Sequence, residues 1–126
     1  MSLVVVGCSL LVLPYEAVCR ADDPCGCDER LIAGREAAQC TKASAIFDAE
    51  RNKQDKIDAA AATRDAILND PDSNSFDRNL ANLVYLTAVL NATVDFEDAK
   101  DLAKAVCDAE IDYQIWLWEF CEDSGC

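Results

Sequence analysis

From Asp28 to Asn69 apolar positions recur at roughly helical spacing. Leu31, Ala38, Ala45, Ile46, Ala49, Ile57 and Leu68 fall near one face. The stretch has no proline and a single glycine, Gly34, and alanine recurs throughout it. Alanine is the best helix former, so the whole stretch is predicted as one long helix. Asp28 and Glu29 place negative charge at its start, where the positive end of the helix dipole lies. The cluster Asn69-Asp70-Pro71-Asp72-Ser73-Asn74-Ser75 predicts a turn that ends it. The stripe is thin and built of small residues, which suits close approach of a second helix.

After the turn a second helix is expected from Ser75, with Leu80, Leu83, Val84, Thr87, Val89 and Leu90 on a broad apolar face. The pattern loosens over Asn91-Ala92-Thr93-Val94. Asp95, followed by Glu97 and Asp98, reads as the cap and acidic first turn of a third helix. That helix is expected to run to Cys121 and to turn Phe96, Ala99, Leu102, Ala103, Val106, Tyr113, Leu117 and Phe120 toward the first. Asn91-Ala92-Thr93 also spells a glycosylation sequon, expected to be unused.

Ahead of the helices, Leu3 to Leu13 is densely apolar. It reads either as a short signal peptide, cleaved after Ala21, or as a retained segment, strand-like for its valines. No lysine or arginine precedes Leu13, which favours retention. Two prolines and three cysteines between Pro14 and Cys27 suggest a stapled connector. The division expected is an N-terminal segment and connector, 1–27, followed by a helical domain, 28–126.

The cysteines choose the topology. There are eight, an even and high number for 126 residues, and this argues for disulfides and an oxidising compartment. In two arms folded about the turn, Cys40 falls level with Cys107 and Cys27 falls level with Cys121. The reading is therefore all-α: a long antiparallel helical hairpin, its second arm broken near 91–95, stapled by disulfides Cys40–Cys107 and Cys27–Cys121. The pairing of Cys8, Cys19, Cys25 and Cys126 stays open. The wholly polar stretch from Glu50 to Lys56 falls level with the expected joint. Cys25-Gly-Cys27 lacks a companion CxxC pair or histidine, so no metal and no cofactor are expected.

Charge and chemistry narrow the role. The chain has 24 acidic and 11 basic side chains, a net charge of −13, and no histidine. A surface this acidic argues against nucleic acid, and the lack of histidine removes Ser-His, Cys-His and His-metal sites. No apolar run reaches the roughly 20 residues needed to span a bilayer. Between Ile111 and Phe120 the chain is apolar on more than one face. Ile111, Ile115 and Trp118 make a second stripe beside Trp116, to be covered by Leu3, Val5, Leu11 and Leu13 or by another protein subunit. The function expected is non-enzymatic: a stiff, acidic, disulfide-linked rod with one apolar end, in an extracellular or virion-type assembly such as a capsid or tail accessory protein. The alternative is a small secreted helical binding module or effector holding an apolar ligand. An enclosed apolar cavity would favour the alternative, and a solid alanine seam would oppose it.

Overall fold

A computed structural model describes residues 25–124. Cys8, Cys19 and Cys126, and the apolar Leu3, Val5, Leu11 and Leu13, lie outside the described residues. Among the described residues there are two elements, helix α1 (Cys27–Leu68) and helix α2 (Ser75–Asp123), and no strand. The fold is all-helical, an antiparallel hairpin of two helices packed together.

Local chemistry sets the ends. Gly26 has φ 71°, a left-handed conformation that only glycine adopts freely. Its carbonyl accepts the first helical hydrogen bond, from Arg30 N at 3.0 Å. Pro71 cannot continue α1, and Ser73 Oγ donates to Ile67 O to close the turn. Asn74 then caps α2: its Oδ1 accepts from Asp77 N at 2.8 Å, and Asp77 Oδ2 accepts from Asn74 N at 3.2 Å. This reciprocal pair is a capping box, satisfying two backbone donors at once.

The expected break in the second arm is absent. Helix α2 runs through 91–95 without interruption. Nothing in that stretch removes a backbone donor or demands a special φ. Ala92 is 2 % exposed, and Thr93 Oγ1 donates to Val89 O at 2.8 Å. Asp95 does not cap a new helix; it pairs with Lys56 at 3.4 Å. The fading of the apolar pattern marked a change in facing, not a change in backbone.

The hairpin divides into two compact units, α1 up to Thr41 with α2 from Val106, and Lys42–Ala105. In the first, Cys27 and Cys121 form a disulfide with Cα atoms 5.9 Å apart. Trp118 Nε1 donates to Asp28 Oδ1 at 2.7 Å beside it. Ala38 and Cys107 are buried here, and Gly34 lies so close to Gln114 that a Cβ would strike its side chain. In the second unit Ala81, Ala92 and Ala103 are buried. Lys53 Nζ sits 5.0 Å from the Phe96 ring centroid, and the Arg64 guanidinium sits 4.1 Å from that of Tyr85. Eleven residues forward on α1 thus match eleven residues back on α2.

That interval organises both helices. On α1, Ala38, Lys42 and Ile46 are followed by Ala49, Lys53 and Ile57, and then by Ala60, Arg64 and Leu68, each set eleven residues on. On α2, Ala81, Ala92 and Ala103 recur at the same spacing, as do Tyr85, Phe96, Cys107 and Trp118. Eleven residues fill three turns at about 3.67 per turn, close to the ordinary 3.6, so one narrow face keeps returning to the partner. Alanine at the closest approach leaves little to bury. Among the described residues the interior consists of Cys27, Ala38, Ala81, Ala92, Ala103 and Cys107, with no large side chain fully enclosed.

The cation–π pairs therefore matter more than the exposed ion pair. Arg64→Gln should lower unfolding free energy by roughly 0.5–1 kcal/mol, read by urea denaturation. Lys56→Gln removes a contact whose side chains are 49% and 62% exposed, and should change stability by less than about 0.5 kcal/mol.

Candidate interaction surface

The fully buried positions of the seam are alanine and cysteine, and many larger apolar residues of α2 are exposed. Among the described residues, thirteen of the fourteen exposed large hydrophobic side chains are on α2, Phe47 being the exception. In the Lys42–Ala105 unit they begin with Phe76, Leu80, Leu83, Leu90 and Val94. These follow alternating steps of four and three residues, with Thr87 filling the gap. Thr87 Oγ1 donates to Leu83 O at 2.9 Å, so its hydroxyl is satisfied within the helix. Val84 and Leu86 flank the row. From Asn79 to Val94, sixteen residues, there is no charged side chain. An uncharged apolar strip of this extent is unusual on a monomer surface.

In the unit that holds the disulfide, Tyr113, Trp116 and Phe120 are exposed and stacked, with ring centroids 6.1 and 6.0 Å apart. Trp116 and Ile115 lie outside, where the sequence placed them. Ile111 and Trp118 do not: both are half-buried, and Trp118 is tied to Asp28 of α1. Tyr113 and Phe120 of the stripe expected to face α1 are exposed, while Leu117 of that stripe is half-buried. The Cys27–Cys121 bridge fixes which side of α2 meets α1. Trp118, three residues before Cys121, shares that side, whereas Tyr113 and Phe120 turn to solvent.

The cysteines fare unevenly. Cys27–Cys121 forms as expected, and Cys25 is also disulfide-bonded. Cys40 and Cys107 are free thiols, the first exposed and the second buried. Distance from the turn set their level along the helices but not their facing. Cys40 follows the buried Ala38 by two residues, about 200° around the helix, and so points away from α2. The apolar excess is likewise not confined to the cysteine-rich end, since Phe76, Leu80 and Leu83 are exposed next to the turn.

The hollows between the helices are open grooves. One of about 330 Å³ lies beside Cys27, Leu31, Trp118 and Cys121. Others of about 490 Å³ and 360 Å³ lie beside Arg64 and Tyr85 and beside Lys53 and Phe96. Alanines of the seam line the latter two, and none of the three is an enclosed apolar chamber. Among the described residues no acidic or cysteine cluster is placed to hold a metal ion, and no helix is long and apolar enough to cross a membrane.

Set against known protein families, curated proteins and solved structures, the chain matches none. The functional reading therefore rests on this surface alone.

Proposed function

We propose that the protein is a non-catalytic assembly subunit that binds other protein subunits through the outer face of α2, in an extracellular or virion-type setting. One observation carries the reading: the seam buries small residues while thirteen large hydrophobic side chains of α2 stay exposed. A water-soluble fold gains most by burying such residues. A chain that keeps them outside has its main apolar surface available for a partner. The Cys27–Cys121 bridge supports an oxidising setting. The net charge of −13 supports solubility of the free subunit and disfavours nucleic acid as the partner.

Sedimentation velocity of the purified chain over a wide concentration range tests this. Association into a defined larger species is expected. A chain that stays monomeric at every concentration would count against an assembly role.

A further inference from the structure

We infer that Leu80–Val94 of α2 is a two-fold contact with a second copy of this chain, the two α2 helices lying antiparallel. The inference rests on the assembly reading and specifies its partner and geometry. Three observations carry it.

The first is spacing. Around Thr87 the exposed row is nearly palindromic: Leu83 and Leu90 stand four before and three after, and Leu80 and Val94 stand seven before and seven after. An antiparallel copy centred on Thr87 meets Leu83 with Leu90 and Leu80 with Val94, so the same patch serves both subunits. That self-complementarity is what a two-fold interface requires. The alternating four and three steps are those of a two-helix seam with interlocking side chains.

The second is charge. A chain at −13 repels its own copy, yet Asn79–Val94 carries no charge. This is the long part of α2 where two acidic subunits can touch without opposing like charges. Asp98, eleven residues past Thr87, falls level with Phe76 of the copy and bounds the contact. A lipid surface fits less well, because helices lying in a membrane interface carry lysine and arginine on the polar face. Here α2 has only Arg78, Lys100 and Lys104.

The third is area. The six exposed apolar side chains from Leu80 to Val94, at roughly 100 Å² apiece, offer roughly 600 Å², at the lower end of the ~600–1,000 Å² per partner of a standard stable interface.

Cross-linking of the full chain tests the geometry. Thr87→Cys sits on the two-fold axis and should give a covalent dimer on a non-reducing gel, above the background of the unsubstituted chain. Leu83→Cys alone should not, but should cross-link when mixed with Leu90→Cys. In sedimentation, Leu83→Lys should weaken self-association by about 100-fold or more, and Leu83→Lys/Leu90→Glu should restore most of it. Both positions are exposed, so circular dichroism should be unchanged in each variant. Self-association with Leu83→Cys linking and Thr87→Cys not linking would overturn the antiparallel contact while sparing the assembly reading. A chain that is monomeric throughout overturns both, and flotation of that monomer with phosphatidylcholine vesicles would assign the strip to lipid instead.

Discussion

Replacing Cys27 and Cys121 together by serine is expected to lower the melting temperature by roughly 20 °C. The bridge joins residues 94 apart in sequence. Closing a loop of that size restricts the unfolded chain by about 4–5 kcal/mol in the chain-entropy account. In a protein with a large core this would be one contribution among many. Here the interior is alanine and cysteine, so the link holds the two chain ends of the hairpin with little help from packing. Circular dichroism melts of the double serine variant, with and without reductant, measure the effect. Reductant should shift the unsubstituted chain in the same direction. A double variant melting within about 5 °C of the parent would mean that the seam, not the bridge, holds that end.

Ala92→Leu is expected to destabilise by about 1–3 kcal/mol, the usual cost of forcing extra methylenes into a packed interior. Ala92 is 2 % exposed, on the side of α2 turned to α1. A leucine there must either take a strained rotamer or push the helices apart, which would also disturb the ring contacts at Phe96 and Tyr85. Its neighbour Asn91 is exposed, and Asn91→Ala should stay within about 0.5 kcal/mol of the parent. Urea denaturation of the pair reads both values. Equal stability of the two variants would show that the helices are not close-packed at this level.

Much of the hairpin was legible in the sequence, and the reasons are physical. A stretch without proline from Asp28, ended by Asn69–Ser75, could hardly be anything but one helix and a turn. Equal distance from that turn correctly paired Cys27 with Cys121. Apart from the break expected near 91–95, the errors concern rotation about the helix axis. Large apolar residues usually mark the buried face, so Leu102, Val106, Tyr113 and Phe120 were turned inward, and they lie outside. The same habit read the small and polar residues at 91–95 as a joint. A seam of alanine reverses the rule, because the smallest residues occupy the closest approach. The signal that finds it was present: alanine, a cation and a branched aliphatic returning every eleven residues on α1, with alanine and an aromatic returning on α2. The outward face of Cys40 follows from that repeat, since its position falls between seam positions.

The repeat also makes the hairpin modular. Within the Lys42–Ala105 unit Lys53 meets Phe96 and, eleven residues on, Arg64 meets Tyr85. Excising Ala49–Ala59 together with Leu90–Lys100 removes Lys53 with Phe96 and Lys56 with Asp95, and puts Ala60, Arg64 and Ala103 in the places of Ala49, Lys53 and Ala92. Arm length is thus quantised: matched whole repeats can be gained or lost without re-facing a single neighbour, whereas an insertion of any other size in one arm alone puts every later residue out of step.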